Sequence, residues 1–261
     1  MIKTVRNKLP VFQFHLLQKF SGDFEHAVLS RTGGVSKGAF ESLNVRFNVG
    51  DDAANVKRNR ATICKALGVA EKWLVSADQT HSKNVCVVDE VMMEGRGAGE
   101  EIADVDAFVT NLRDVALMIQ VADCQALLFF DPVKKVVATV HAGWRGLMKD
   151  VSGATIAVMK KKFGVKPEYL LVGIGPSLGP CCAFFSEPAR ELSADCKPYI
   201  NFNNTVDLWS FSSAQLVKHG VRPEHIENAR VCTMCDAGKK FFSFRRDHGV
   251  TGRNGALIFL R

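Results

Sequence analysis

The sequence predicts an α/β fold: a single domain over residues 1–261 in which mixed β-sheets pack together and are flanked by helices. Three observations predict it. Short apolar runs rich in Val, Ile, Leu and Phe recur along the chain, with the length and composition of buried strands. Two stretches carry the 3.6-residue apolar period of helices that bury one face. The elements do not alternate as a regular βαβ repeat, which points to mixed rather than purely parallel sheets.

Taken in order, "DDAANVKRNRATICKALG" reads as a helix. Asp52 can cap it, Val56, Ile63 and Leu67 fall on one face, and Gly68 stops it. "NVCVVDE" reads as a strand and "GRGAGEE" as a mobile acidic-glycine loop. "VALMIQVA", "ALLFFD" and "VVATVH" are short β-rich apolar runs, best placed in buried strands. After "GWRG", Leu147, Val151, Ala154 and Val158 are spaced for one helix that closes at Gly164. "YLLVGIG" is a further buried strand before the turn-rich "GPSLGP", and "NARVCT" and "GALIFL" read as the last strands. No Pro/Ser/Gly-rich linker, low-complexity tract or internal repeat divides the chain.

Composition sets limits on function. Hydrophobic content of 47% with 23% charged residues is that of a soluble globular enzyme. The first twenty residues lack a sustained apolar core with a cleavage site, and no apolar run reaches the roughly 18 residues of a membrane span. A cytoplasmic location is therefore expected, with no membrane partner. A net charge of +7 favours anionic partners. The positive residues are spread along the chain, and the dense run Lys160 to Lys162 sits where a helix end would welcome it, so no nucleic-acid partner is expected. Eight cysteines in a reducing compartment are read as buried or liganding thiols rather than disulfides.

Among seven histidines, His81 in "DQTHSKNV" and His141 in "VHAGWRG" lie where apolar strands meet polar or glycine-rich turns. His15, His26, His219, His225 and His248 have no partner motif. Cys124 follows Asp123 at a break between apolar runs, where a strand end could present it to a cleft. Packing, a metal site and a Cys–His nucleophile all account for this pattern. Cys181 and Cys182, in a tight turn, are read as structural. "CTMC", Cys232 to Cys235, is a lone CxxC without a second pair or a thioredoxin-like context.

"LSRTGGVSKGAF-ESLN", "VGDD", "QTH", "ADC", "HAGWRG", "GIGPSLGPCC", "FFSFRRD" and "TGR" follow one another in an order that resembles a known family. Its members are variously described as polyphenol-oxidase or laccase-domain proteins, purine nucleoside phosphorylases and peptidoglycan-editing factors. The resemblance runs from about Ser30 to the C-terminus. It implies a catalytic zinc held by His81, Cys124 and His141, with copper as a possible substitute. Three protein ligands leave one tetrahedral position open, which suits catalysis. It also implies phosphorolysis of adenosine, inosine and S-methyl-5′-thioadenosine, with adenosine deamination as a side activity and purine nucleosides and inorganic phosphate as partners.

For that chemistry Arg145 and Arg31 can offer guanidinium forks to phosphate. Asn44, Arg245 and Arg246 stand in motifs that resemble the family's, with one of the two adjacent arginines expected to face away. Asp106 or Asp123 could shuttle a proton. The chain departs from the family pattern at Asn48, where members often carry histidine, at Ala126 after "ADC", and at Phe184 after the paired cysteines. Alternative readings are a copper polyphenol oxidase, a Cys124/His141 cysteine hydrolase of peptidoglycan editing, and a zinc-stabilised interaction module. A multicopper centre needs about ten histidines, imidazole being the usual copper donor, and this chain has seven.

Overall fold

The computed structural model describes residues 1–97 and 99–261. Thirteen strands are found among the described residues. The first six are β1 (Ile2–Arg6), β2 (Leu9–Gln13), β3 (Phe24–Leu29), β4 (Leu74–Asp78), β5 (Val85–Val87) and β6 (Glu101–Ala103). They are followed by β7 (Ala107–Thr110), β8 (Ala116–Val121), β9 (Gln125–Asp131) and β10 (Val136–Ala142). The last are β11 (Leu171–Ile174), β12 (Ile226–Asn228) and β13 (Asn254–Leu260). One sheet has the order β1-β2-β3-β13-β8-β4-β6 and the other β12-β11-β9-β10-β7-β5. Both are mixed: β8–β4 and β4–β6 are parallel in the first, β12–β11 and β5–β7 in the second.

Strand periodicity explains how the layers stack. In β9, Ala126, Leu128 and Phe130 point into a core shared with Leu117 and Ile119 of β8 and Ile258 of β13, between the two sheets. Leu127 and Phe129 point the other way, onto Ile156 and Met159 of the helix Val151–Phe163 and Leu216 of the helix Leu208–Lys218. Across the first sheet, Met118, Leu257 and Phe259 meet Ile63 and Leu67 of the helix Ala53–Leu67. The result is a helix–sheet–sheet–helix sandwich. Each central strand is buried on both faces, so its sequence is a continuous apolar run rather than an alternating one. No helix among the described residues is long and apolar enough to cross a membrane.

The helix Ala53–Leu67 has the predicted ends: Asp52 accepts from the Ala54 N–H, and Gly68 closes it in the left-handed conformation. Three expectations need correction. The helix after "GWRG" is two helices, Trp144–Met148 and Val151–Phe163. Asp150 between them adopts φ 58° and turns its side chain to the Gly153 N–H, starting a new helix instead of continuing the first. "NARVCT" is not a strand. The Asn228 side chain accepts from the Arg230 N–H and Arg230 takes φ 49°, so β12 ends where that run begins. Of "GRGAGEE", Ala98 lies outside the described residues, and Glu101 already begins β6.

His26 of β3 is buried against Phe14, the rings nearly parallel and 5.9 Å apart, and its Nε2 accepts from the Phe14 N–H at 2.9 Å. Burial, with a smaller push from Arg6, holds it down to about 3. The unfolded chain takes up this proton near pH 6.5 and the folded chain does not, so stability is retained above that pH and lost as pH falls toward 3. His26→Gln keeps the acceptor and removes the titration. We expect the stability difference between wild type and this variant to change by about 1.4 kcal/mol per pH unit between about pH 6 and 4, in favour of the variant. Urea unfolding at three pH values measures it, and a constant difference would contradict a neutral His26.

Candidate metal centre

Strand pairing brings the distant motifs together. Cys124 immediately precedes β9, where the chain passes from the first sheet to the second, and His141 lies near the end of antiparallel β10, opposite Ala126. β7 flanks β10 on its other side, and the His141 N–H donates to the Asp106 carbonyl at 2.8 Å. His81 arrives from the turn after β4 with φ 58°. The donor atoms of His81, Cys124 and His141 all lie within 4.8 Å of one another, and Cys124 Sγ is 3.6 Å from His81 Nε2. Zinc at its usual 2.0–2.3 Å from nitrogen and sulfur separates such ligands by about 3.5 Å, so this donor set fits the ion.

Asp106 holds the set in place. Its carboxylate is fully buried and accepts His141 Nδ1 at 2.6 Å, leaving Nε2 to face the other two donors. It also accepts the backbone N–H groups of Thr80 at 3.2 Å, His81 at 3.1 Å and Ser82 at 2.7 Å, and the Ser82 hydroxyl at 2.7 Å. Burial works against this carboxylate's charge, but His141 and Ser82 outweigh it and the group sits well below the usual carboxylate range. One buried carboxylate thus fixes both the His81 turn and the His141 ring, the outer-shell arrangement found behind metal-binding histidines.

Space for an ion comes from Gly143. A Cβ built there would stand 2.5 Å from His81 Cδ2 and 3.0 Å from both Cys124 Sγ and His81 Nε2. Burial opposes ionisation of Cys124, yet His141 and His81 together bring its thiol down to about 6. His141 is raised to about 9, burial being outweighed by Cys124 and Asp106. Both shifts favour a thiolate beside a charged imidazole, and a metal ion would compete with the His141 proton.

The centre opens into a cavity of about 790 Å³. Arg145 and Arg245 line it, as do Arg46 and Arg253, against a single lining carboxylate among the described residues, Asp123. Trp144, Phe185 and Phe244 form apolar wall. Arg145 stacks on Trp144 at 4.2 Å, and Arg245 Nη1 donates to the carbonyls of Cys182 and Phe184 at 3.0 and 2.7 Å. Arg246 turns away, donating to the Thr233 and Phe241 carbonyls and pairing with Asp247.

Arg31 and Asn44, singled out in the sequence for the substrate, do not line this cavity either. Arg31 lies over the Phe242 ring with Nε donating to the Glu41 carbonyl. Asn44 is buried behind the wall, its Oδ1 accepting the backbone N–H groups of Arg46 and Arg253. Asp106 is outside the lining, whereas Asp123 is in it, accepting from Thr233 Oγ1 and the Arg245 N–H. Asn48, one of the departures, also lines it. Arg46, Arg253 and His248 were missed; "TGR" was the one local signal, for Arg253.

A family model described as "Multi-copper polyphenol oxidoreductase laccase" matches residues 25–261. A protein of Geobacillus stearothermophilus named purine nucleoside phosphorylase YlmD is 32% identical over 251 residues, covering 88% of this chain and 87% of the relative. A Streptomyces griseus protein named purine nucleoside phosphorylase ORF3 is 34% identical, covering 94% and 98%. The crystal structure of YlmD from Geobacillus stearothermophilus superposes with a TM-score of 0.82 at 30% identity, over 91% of this chain and 92% of that one.

Proposed function

The chain belongs to the multi-copper polyphenol oxidoreductase laccase family, and from that premise we propose that it is a zinc-dependent purine nucleoside phosphorylase acting on adenosine, inosine and S-methyl-5′-thioadenosine. One observation carries the reading: a His–Cys–His donor set shares a cavity lined by four arginines and an aromatic wall. The relatives named purine nucleoside phosphorylase support it. The family description names copper, but of the chain's seven histidines only His81 and His141 belong to the donor set, far short of a multicopper centre.

In this reading His81, Cys124 and His141 hold the zinc. When bound, the ion supplies Lewis-acid polarisation of a substrate oxygen or water. Arg145 and Arg245, with Arg46 and Arg253, bind and orient phosphate by charge-assisted hydrogen bonds. Trp144, Phe185 and Phe244 pack against the purine and exclude water. A phosphate oxygen bonds to C1′ of the ribose as the C1′–N9 bond breaks. N9 keeps the bonding pair and takes up the proton that the attacking hydrogen phosphate gives up, leaving the free base and the sugar 1-phosphate, which is ribose 1-phosphate from adenosine or inosine. For the deaminase side activity, Asp123 is the carboxylate assigned to move the proton, since Asp106 lies outside the cavity lining.

Zinc-loaded protein is expected to release hypoxanthine and ribose 1-phosphate from inosine in equal amounts, and only with phosphate present, as followed by chromatography. Full zinc occupancy without phosphate-dependent release would overturn the assignment. Copper-loaded protein tested on a phenol in parallel reports on the oxidase reading. The Cys124–His141 pair with Asp106 behind it also favours a second reading, a cysteine hydrolase. Against it stands the third donor, His81, at 3.6 Å from the sulfur. Hydrolysis retained by metal-stripped protein and lost on alkylation of Cys124 would establish that reading instead.

A further inference from the structure

The paired cysteines and the CxxC, distant in the sequence, meet in the fold. Cys181 and Cys182 sit in the turn that follows β11, and Cys232 and Cys235 in the loop that follows β12. The Sγ atoms of all four lie within 4.8 Å of one another, with Cys181 and Cys235 at 3.5 Å. We propose that these four thiols form a second, structural zinc site, separate from the His81–Cys124–His141 centre.

Several features build this site. The two loops are tied as a short ladder: the Ser177 N–H donates to the Val231 carbonyl and the Thr233 N–H to the Ser177 carbonyl, both at 3.1 Å. The turn carrying the pair is closed by the Cys182 and Ala183 N–H groups on the Gly179 carbonyl, each at 2.9 Å. Gly179 lets the loops approach, because a Cβ there would stand 3.2 Å from Cys232 Cβ and 2.7 Å from the Trp209 ring. Its N–H donates to Cys232 Sγ at 3.3 Å, support that favours a thiolate.

The dimensions fit one ion. Zinc–sulfur bonds of about 2.3 Å in a tetrahedron separate the sulfurs by about 3.8 Å, and soft thiolate donors in that geometry suit zinc, as they do iron. A disulfide brings two sulfurs to about 2.05 Å, well inside the 3.5 Å between Cys181 and Cys235. All four cysteines are unbridged here. The lone CxxC does therefore have a second pair. It was hidden because the partner is a vicinal Cys-Cys on another loop rather than a second CxxC.

The adjacent arginines connect the cluster to the cavity. Arg245 hangs from the Cys182 and Phe184 carbonyls on one loop, and Arg246 from the Thr233 carbonyl on the other. A metal that joins the loops also fixes the wall from which Arg245 projects.

The test counts metal on the full chain purified under reducing conditions and dialysed against zinc. Elemental analysis is expected to find two zinc ions per wild-type chain. Cys181→Ser/Cys235→Ser should carry one, Cys124→Ala should carry one, and the triple variant none. Cobalt-loaded Cys124→Ala should show the intense tetrahedral and charge-transfer absorption of a four-sulfur site. Should the serine variants fold poorly, the unmutated chain suffices: zinc should slow alkylation of all four cysteines at least about tenfold, read by peptide mass spectrometry. One zinc per chain that disappears with Cys124→Ala, unslowed alkylation, or a disulfide within the cluster that persists after zinc loading would each overturn the site.

Discussion

The Asp106→Asn protein is expected to bind zinc at the His81–Cys124–His141 centre about 10- to 100-fold more weakly than wild type, and to lose about 3 kcal/mol of folding stability. The carboxylate receives six donor contacts from Thr80, His81, Ser82 and His141 with no exposure to solvent. An asparagine of the same shape has one oxygen acceptor and turns an NH2 group toward at least one of those donors. Either the turn over residues 80–82 loses its anchor or His141 Nδ1 loses its acceptor. In the second case the proton can move to Nε2, the nitrogen that faces Cys124 and His81, and the ring no longer offers a lone pair there. Zinc titration against a competing chelator and urea unfolding measure the two effects. If phosphorolysis rests on this centre, kcat/KM for inosine should fall with zinc occupancy and recover in part at saturating zinc. Wild-type zinc affinity in Asp106→Asn would mean that the three donors are positioned by packing alone.

How much of this was legible in the sequence depends on the range of the interaction. The helix Ala53–Leu67 announced itself because its cap, apolar face and stop lie within one short segment, and β8, β9, β10 and β13 did so through apolar runs that both sheet faces bury. The break at Asp150 and the early end of β12 were not legible. Each depends on a single side chain choosing a local backbone N–H over continued helix or strand. The candidate site follows the same division. His81, Cys124 and His141 were found through the motifs of a family, while Asp106, which organises them, looks like any acidic residue before a strand. Its importance arises only when β7 pairs with β10 and the carboxylate meets a turn 24 to 26 residues upstream. Arg46 reaches the cavity from the first quarter of the chain and His248 and Arg253 from one stretch near its end, and of the three only Arg253 carried a local signal, in "TGR". The cysteine cluster was divided between two motifs that each looked incomplete.

Gly143→Ala should weaken metal binding at the candidate centre while leaving the fold intact, which makes it the sharpest probe of the His81–Cys124–His141 arrangement. Gly143 has φ −69° and ψ 164°, a conformation open to alanine, so backbone strain contributes nothing. What alanine lacks is room. Its methyl would sit 2.5 Å from the His81 ring and 3.0 Å from the Cys124 sulfur. Neither neighbour yields freely, because the His81 backbone is bound to Asp106 and Cys124 is held at the entry to β9. Displacing His81 by about 1 Å is enough to lower turnover about 100-fold, and zinc affinity should fall by a similar factor. The loss of folding stability should stay near 1 kcal/mol, the range of a modest steric substitution. Gly146→Ala serves as the control: its nearest contact is the Ser82 carbonyl at 3.4 Å, and it should retain zinc and activity. Zinc binding by both is best measured in the Cys181→Ser/Cys235→Ser background, where zinc bound per chain reports this centre alone, and turnover in the otherwise unmutated chain. Undiminished zinc binding by Gly143→Ala would show that His81 can move without loss of the ion, and would remove His81 from the ligand set.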